Sequence, residues 1–307
     1  MSIVVIGSLN MDMVVRTKRA PEAGETLFGQ DFALSPGGKG ANQAVAAARL
    51  GAEVVMIGSV GQDGFGNELL EIMRGEGIDT EHLAQSANRG TGVASIVVDG
   101  EGENRIIVVP GANLELGVED IQALETVIAG ADIIVMQLET DLAMCAEAAR
   151  IAGRHQIPVI LNPAPARELS NEMLSHVTYL TPNETEAGVL SGVEVSSTES
   201  AEQAARILLQ KGVQNVVITL GSKGALIVNE TGSMHVPGFP VKAVDTVAAG
   251  DSFNGALAYQ LTSGKTTAEA VRFANAVGAL AVGRQGAIPS LPKLAEVEQF
   301  LKEAAEA

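Results

Sequence analysis

Apolar runs of strand length alternate with amphipathic helical patterns along most of this chain. Such alternation is typical of β-α units, in which helices cover a sheet of parallel strands. The predicted strands are 3–6, 53–58, 132–137, 159–161, 178–180 and 216–220. The predicted helices are 40–50, 64–75, 118–129, 141–155, 199–211, 252–263, 267–284 and a last one from Lys293. The pattern predicts an α/β fold with a doubly wound, mainly parallel sheet flanked by helices.

Two segments, 12–36 and 89–110, interrupt the alternation. Each has the pattern of antiparallel strands, and neither is followed by a covering helix. Together they form either a small sheet that covers a cleft or extra edge strands of the main sheet. We favour the cover, a small β-sheet lid, because both segments lead directly into Gly-rich motifs. No linker or repeat divides the chain, which predicts a single α/β domain over residues 1–307.

The net charge restricts the kind of partner. The chain has 20 Lys and Arg against 37 Asp and Glu, a formal charge of −17 at pH 7. Nucleic acids are bound by clustered positive charge, so a nucleic-acid partner is not expected. Any anionic ligand must be held locally, by a helix N-terminus, a single cation or a metal ion.

The single cysteine, Cys145, excludes an intramolecular disulfide and fits a reducing compartment. It lies in an Ala-rich helical pattern and is interpreted as an inert buried thiol. The first seven residues enter a strand without the basic segment or cleavage site of a secretory signal. No apolar run reaches membrane-spanning length. We therefore expect a cytoplasmic protein with no membrane partner.

Several familiar catalytic signatures are missing from the sequence. The first strand is not followed by the G-x-G-x-x-G turn of dinucleotide-binding proteins, and no Walker loop or G-x-S-x-G hydrolase motif occurs. The histidines show no metal-ligand spacing; they are His82, His155, His176 and His235. Dehydrogenase, Walker-type, hydrolase and zinc-enzyme functions are therefore disfavoured.

A motif near the C-terminus, D-T-V-A-A-G-D-S-F-N-G-A-L at 245–257, places Asp251 directly after Gly250 where a helix should begin. One interpretation is that Asp251 caps the helix. The alternative is that bare backbone N–H groups at Ala248, Ala249 and Gly250 hold an anion, with Asp251 beside it as a base. The remaining motifs favour the second interpretation.

A second Gly-rich motif, S-P-G-G-K-G-A-N-Q-A at 35–44, opens a helix. Its glycines allow a ligand to approach the backbone closely, and Lys39 and Asn42 supply polar groups. An ordinary strand-to-helix turn with a solvated lysine explains the motif equally well.

Side chains suited to hydroxyl groups follow two predicted strands. Asn10 and Asp12 follow the first strand one residue apart, so they share a face if the segment is extended. Glu139 follows another strand. Because ligands of open α/β sheets bind at the carboxyl ends of the strands, the three residues predict a polyol site. Individually, each is also a common cap or turn residue.

Two other strand ends carry candidate nucleotide contacts. Residues 181–186, T-P-N-E-T-E, start a helix in which Asn183 is a cap or a ligand contact and Glu186 lies in the first turn. Residues 219–224, T-L-G-S-K-G, end a strand with glycines, as a tight turn or a nucleotide-binding loop.

These motifs resemble those of the ribokinase-like (phosphofructokinase-B type) carbohydrate kinases over essentially the whole chain. G-G-K-G-A-N-Q-A, with Gly51 and Gly61 downstream, is similar to the family's N-terminal signature, and residues 245–257 are similar to its C-terminal one. Both motifs are long and ordered, and therefore specific. Shorter motifs that resemble a subset of the family are N-M-D (10–12), M-Q-L-E (136–139), N-P-A-P-A-R (162–167), P-N-E-T-E (182–186) and R-Q-G-A-I-P-S (284–290).

The resemblance implies a role for each matching residue. The sugar-contacting positions are Asn10, Asp12, Gly38, Lys39, Asn42 and Glu139. The nucleotide-contacting positions are Asn183, Thr219, Leu220, Gly221, Ser222, Lys223, Gly224, Gly250 and Asn275. The anion hole is formed by Ala248, Ala249 and Gly250, with Asp251 as catalytic base. A monovalent-cation site, usually for potassium, is implied at Asp245, Val247, Ala281, Arg284, Gly286 and Ser290.

Three details qualify this match. Glu186 belongs to a motif linked with Mg²⁺ through water. Ala248 stands where many relatives have glycine, and Asn275 stands where some have histidine, which would alter the contact with adenine.

The implied activity is transfer of the γ-phosphoryl group of ATP to the 5-hydroxyl of D-ribose, with Mg²⁺ and K⁺ as cofactors. Alternatives are another acceptor (deoxyribose, fructose or a nucleoside), a non-catalytic sugar-binding regulator, or a dehydrogenase. Asp251, Lys39 and the anion-hole glycine disfavour a regulator, because a binding protein needs no base. Lids in this family commonly pair between subunits, which implies a homodimer.

Overall fold

The computed structural model describes residues 2–306. Its strands are β1 (Ser2–Ile6), β2 (Asn10–Arg16), β3 (Asp31–Gly37), β4 (Glu53–Gly61), β5 (Leu83–Ser86), β6 (Gly92–Val98), β7 (Asn104–Val109), β8 (Ile133–Met136), β9 (Val159–Leu161), β10 (Tyr179–Leu180), β11 (Asn215–Thr219), β12 (Gly224–Asn229) and β13 (Gly232–Pro237). Its α-helices are α1 (Lys39–Arg49), α2 (Gly64–Gly75), α3 (Val118–Ala123), α4 (Glu125–Ala129), α5 (Leu142–Arg154), α6 (Asn171–Ser175), α7 (Glu184–Ser191), α8 (Thr198–Gln210), α9 (Ala249–Thr262), α10 (Thr267–Val282) and α11 (Leu294–Glu306). Short 3₁₀ turns lie at Gly111–Leu114, Gly221–Lys223 and Ile288–Ser290.

Within residues 2–306, the main sheet has nine strands in the order β13-β12-β11-β10-β9-β8-β1-β4-β5. Neighbouring strands from β11 to β5 run parallel, whereas β12 and β13 add an antiparallel hairpin at one edge. In the register at the centre, Ile3 of β1 lies opposite Val54 and Ile133. This confirms the predicted doubly wound, mainly parallel sheet.

The sheet is buried on both faces because its strand side chains alternate between two apolar layers. Ile3 and Val5 of β1 belong to the layer packed under α1, α9 and α10. Val4 and Ile6 belong to the opposite layer, under α5 and α8. All four side chains are essentially inaccessible to solvent. The many alanines of the covering helices allow these helices to lie close to the sheet.

The structure differs from the sequence-based prediction in its short elements. Strands β5, β12 and β13 and helix α6 were not predicted, because apolar patterns of this length fit a strand, a loop or a helical turn equally well. The single helix predicted at 118–129 is two helices, since the backbone at Leu124 (φ −99°, ψ 14°) leaves helical geometry. The hairpin β12–β13 extends the sheet beyond its predicted edge.

The two interrupting segments form a separate four-stranded sheet in the order β3-β2-β6-β7. The pairs β2–β3 and β6–β7 are antiparallel, as predicted within each segment. The two hairpins meet through a parallel pairing of β2 with β6, in which Asn10 lies opposite Gly92. The alternative that these segments add edge strands to the main sheet is therefore wrong.

Residues 2–306 contain no helix that combines the length and the apolar character required to cross a bilayer.

Candidate active site

The N-terminus of α9 has unpaired backbone donors. Ala248, the residue before the helix, adopts a left-handed backbone (φ 59°, ψ 8°) and accepts the Ser252 N–H at 2.8 Å. The N–H groups of Gly250 and Asp251 have no acceptor among residues 2–306. A Cβ atom placed on Gly250 would meet nothing within 4 Å, so the space beside this residue is open. Bare donors and the helix dipole together make an anion-binding site.

The carboxylate of Asp251 faces α1 and makes no helix cap. Its Oδ2 accepts a hydrogen bond from Asn42 Nδ2 at 2.8 Å, and its Oδ1 accepts one from Gln43 Nε2 at 2.9 Å. Burial raises the pKa of Asp251, whereas the nearby Lys39 ammonium and the two amide donors act to lower it. The carboxylate therefore lies in a buried site that contains its own hydrogen-bond donors.

Close packing of α9 on α1 depends on Gly255. A Cβ atom at this position would lie 2.6 Å from the Gln43 carbonyl oxygen and 2.7 Å from Ala46 Cβ. Both distances are shorter than van der Waals contact. The missing side chain lets the helices approach closely enough for Asp251 to reach the amides of Asn42 and Gln43.

The predicted hydroxyl-binding carboxylates lie beside a cation. Lys39 Nζ is 3.7 Å from Glu139 Oε1, and Glu139 Oε2 accepts Ser8 Oγ at 2.6 Å. Burial, with a further contribution from Glu139, raises the pKa of Asp12 to about 7. No group within residues 2–306 donates a hydrogen bond to the Asp12 carboxylate. These groups are suited to the hydroxyls of a polyol.

Asn10 is held in a fixed orientation by a residue that the sequence did not single out. Asn113 Nδ2 donates to Asn10 Oδ1 at 2.7 Å, and Asn113 Oδ1 accepts the Leu9 N–H at 2.9 Å. Gly38 has a left-handed backbone (φ 93°), and a Cβ atom there would lie 2.7 Å from the Asn10 nitrogen. Asn42 Oδ1 is buried and has no protein partner. Nδ2 of Asn10 and Oδ1 of Asn42 are thus left for a ligand.

A larger cleft of about 590 Å³ contains most of the predicted nucleotide contacts. Those that line it are Asn183, Thr219, Gly221, Ser222, Gly224, Gly250 and Asn275. Leu220 and Lys223 are not among its lining residues, and the Leu220 side chain packs in the core. The apolar surface beside these contacts, from Phe239, Val241, Ala279 and Val282, is suited to the flat face of a base.

A smaller cleft of about 210 Å³ contains Lys39, Glu186 and Asp251. It shares Asn183, Thr219, Thr246, Ala249 and Gly250 with the larger cleft. The start of α9 therefore lies where the two clefts meet, and Asp251 faces the smaller one.

Asn183 and Glu186 cap α7 reciprocally. Asn183 Oδ1 accepts the Glu186 N–H at 2.8 Å, and Glu186 Oε2 accepts the Asn183 N–H at 2.9 Å. The capping interpretation is therefore confirmed, although both residues also line the smaller cleft. Burial raises the pKa of Glu186.

Two residues of the predicted cation site, Val247 and Gly286, lie against Asp245. Its Oδ1 accepts the Val247 N–H at 3.0 Å and its Oδ2 accepts the Gly286 N–H at 2.9 Å, so the carboxylate bridges two turns. Arg284 can offer a cation only its main-chain oxygen, because its guanidinium is itself positively charged; that side chain pairs with Glu296. Carboxylate oxygens are among the ligands that monovalent cations take, and Asp245 supplies one carboxylate here.

The sequence did not identify a chain of buried amides and hydroxyls behind Asp251. Its members are Gln43, Gln137, Asn162, Thr181 and Asn254. At its far end, Asn254 Nδ2 donates to the Gly250 carbonyl at 2.8 Å. Gln43 lies within the quoted Gly-rich motif, but sequence alone gives no sign of which helix face meets α9.

A deep cleft for a base and phosphates that meets a hydroxyl-binding site at a bare helix N-terminus defines a small-molecule kinase. The chain belongs to the pfkB family of carbohydrate kinases, whose family model matches residues 1–294. This confirms the family predicted from the sequence motifs.

Individual relatives match nearly the whole chain. Ribokinase of Haemophilus influenzae is 44% identical over 303 residues, which cover 99% of each protein. Deoxyribokinase of Salmonella typhi is 37% identical over 302 residues, covering 98% of this chain and 99% of that protein. The structure of Arabidopsis thaliana ribokinase complexed with ribose and ATP aligns with a TM-score of 0.92 at 32% identity and covers 98% of each chain.

Proposed function

We propose that this chain is an ATP-dependent kinase that phosphorylates D-ribose at the 5-hydroxyl to give ribose 5-phosphate. The observation that carries the proposal is the position of Asp251 and of the bare Gly250 N–H, where the two clefts meet. The ribokinase relatives support ribose as the acceptor and ATP as the donor.

In the proposed reaction, ionised Asp251 accepts the proton of the 5-hydroxyl as the new O–P bond forms and the bond from the γ-phosphorus to ADP breaks. The N–H groups of Gly250 and Asp251 stabilise the negative charge on the transferred group. Asn10, Asp12, Asn42 and Glu139 orient the sugar through its other hydroxyls. Lys39 stabilises the surrounding carboxylates.

Mg²⁺ is proposed to enter with ATP, and when bound it neutralises phosphate charge. Among the residues that the structure describes, no group of three or more His, Cys, Asp or Glu is placed to hold a metal. The carboxylate of Glu186, half-buried at the smaller cleft, fits a contact through water to an ion held mainly by phosphates.

The direct test is ADP release from ATP with a panel of sugars and nucleosides, in the presence of Mg²⁺ and K⁺. We expect D-ribose to give the highest kcat/KM. A site that hydrogen-bonds a substrate hydroxyl can have a kcat/KM lower by as much as ~10⁴-fold for an analogue that lacks this hydroxyl. Deoxyribose is the second candidate, because a deoxyribokinase matches the chain over nearly its whole length. Sugar binding without sugar-dependent ADP release would indicate the regulator instead.

Potassium is proposed to bind at the turn that Asp245 bridges, beside the start of α9. An ion there would hold the loop of the anion hole in place, so we expect K⁺ to raise kcat by roughly 10- to 100-fold, as for correcting a small misplacement of a reacting group. Rates measured in K⁺ and in a large organic cation check this, and Asp245→Asn should remove most of the difference. Equal rates in both salts with the wild-type protein would contradict the site.

The four-stranded sheet is proposed to act as the sugar lid and as a homodimer interface. Its exposed apolar side chains include Phe32 (59% exposed), Ile106 (52%) and Ile107 (69%), an unusual surface for a monomer. We expect light scattering to give the mass of a dimer and Ile107→Asp to give that of a monomer. Met234→Asp, at an exposed position of β13, is the control. A monomeric wild-type protein would contradict the interface.

The chain is also proposed to act as one kinase domain in the cytoplasm, with small-molecule ligands only. The low cysteine content and the acidic charge support this.

A further inference from the structure

Gln43 is fully buried and lies between Asp251 and a second glutamine. Its Nε2 donates to Asp251 Oδ1 at 2.9 Å and to Asn162 Oδ1 at 3.2 Å. Its Oε1 accepts Gln137 Nε2 at 2.7 Å. Gln43 has no solvent-accessible surface, so it is not placed to contact a ligand and acts through Asp251.

These contacts leave the Gln43 amide one orientation. A flipped amide would place Oε1 against the Asp251 carboxylate and Nε2 against the donor of Gln137, and both contacts are repulsive. The Asp251 carboxylate and Asn162 Oδ1 therefore fix which end of Gln43 faces Asp251, and Asn162 is itself oriented because its Nδ2 donates to the Thr181 carbonyl oxygen. Gln137 then donates to the remaining Oε1 of Gln43.

Gln137 is itself buried at a cost. Its Oε1 is buried and has no hydrogen-bond partner, which is unfavourable in an apolar interior. The space it occupies exists because residue 7 is glycine, since a Cβ atom on Gly7 would lie 2.0 Å from Gln137 Oε1. Apolar side chains at positions 43 and 137 would avoid this unpaired oxygen but would leave Oδ1 of Asp251 and Oδ1 of Asn162 without this donor, so the two amides are explained by the carboxylate that they serve.

We propose that Gln43 is a positioning residue for the base, in which the chain of amides from Gln137 through Gln43 holds the Asp251 carboxylate in the rotamer that faces the acceptor hydroxyl. Each carboxylate oxygen has two lone pairs, and each accepts one amide hydrogen. The remaining lone pairs stay available for the substrate. This inference rests on the proposed kinase function, but the orientation and ionisation of Asp251 can be measured even in a protein that phosphorylates no sugar.

The charged groups that face Asp251 are Lys39, Glu139, Asp12 and Glu186. None of them changes in the variants described next. A change in the ionisation of Asp251 in these variants therefore reports the loss of the amide donor.

Gln43→Met keeps the length of the side chain and removes its amide. We expect kcat to fall roughly 10- to 100-fold, as for a small misplacement of a reacting group, while KM for ribose stays within about threefold. The pKa of Asp251, followed by ¹³C NMR of the carboxyl carbon and assigned by its loss in Asp251→Asn, should rise by about one unit. The acid limb of the kcat–pH profile should move by the same amount.

Gln137→Met tests the same chain without touching Asp251, and we expect smaller changes in the same directions. The matched control is Gln122→Met. It removes a glutamine amide that donates to the Glu147 carboxylate at 2.8 Å, on the outer helices. We expect no change in kcat or in the pKa of Asp251.

A folded Gln43→Met protein with unchanged kcat and unchanged Asp251 pKa would overturn the proposal. A fall in kcat with a parallel rise in KM and no pKa change would also overturn it, since this indicates general loosening. If Gln43→Met does not fold, Gln137→Met decides by the same criteria. If the wild-type protein phosphorylates no sugar, the proposed function fails, and the NMR titration still decides whether Gln43 controls Asp251.

Discussion

Replacement of Asp251 by Asn is expected to lower kcat for ribose phosphorylation by roughly 10²–10⁴-fold, the usual contribution of a general base. The amide cannot accept the hydroxyl proton at neutral pH, but it has the volume of the carboxylate. The fold and the binding of both substrates should therefore persist. Steady-state kinetics and calorimetric titration with ribose and a non-hydrolysable ATP analogue separate the two effects.

The matched control for this variant is Glu147→Gln. Glu147 is also buried (9% exposed) and bound to amide and guanidinium donors, but it lies on α5, away from both clefts. We expect its kcat to equal that of the wild type. Turnover by Asp251→Asn close to the wild-type rate would show that another group takes the proton.

Gly255→Ala is expected to reduce kcat by about 10²-fold, although this residue contacts no ligand cleft. The added methyl group meets the Gln43 carbonyl oxygen at 2.6 Å, which is backbone and cannot rotate away. Helices α1 and α9 must then separate, and Asp251 loses its short contacts with Asn42 and Gln43. Overpacking should also lower the free energy of unfolding by about 1–3 kcal/mol, measured by denaturant titration.

Gly75→Ala provides the comparison, because it makes the same change at the end of α2. A Cβ atom there meets nothing within 4 Å. This variant should gain up to about 1 kcal/mol from the better helix propensity of alanine, with unchanged kcat. If Gly255→Ala behaved in the same way, the close approach of α1 and α9 would not control the site.

The sequence predicted the parallel sheet correctly because each central strand carries its own apolar signal. Residues 3–6 and 159–161 are apolar at every position, as strands buried on both faces must be. Strand β13 lacks such a signal, since it is largely exposed and its pairing depends on β12. Strand β12 has a buried apolar run at 225–228, and the prediction missed it.

In the candidate site, too, some residues could be predicted from the sequence and others could not. Motif residues such as Asp12, Lys39 and Asp251 could be identified because their chemistry and their position along the chain coincide. Asn113 and Gln137 could not, because a buried amide has a role only once its partners are known.

The amino-acid sequence alone established the central strands and the long helices, the residues that can accept or donate protons, and the positions where glycine leaves the backbone open. These are local properties, fixed by side-chain chemistry and the period of the apolar pattern. Other features depend on which residues lie near one another although they are far apart in the sequence. They are the packing of α1 against α9, the orientation of Gln43 and the lack, among the residues that the structure describes, of a hydrogen-bond donor to the Asp12 carboxylate. Such contacts follow from packing at short range, and only the folded chain brings the groups close enough to interact.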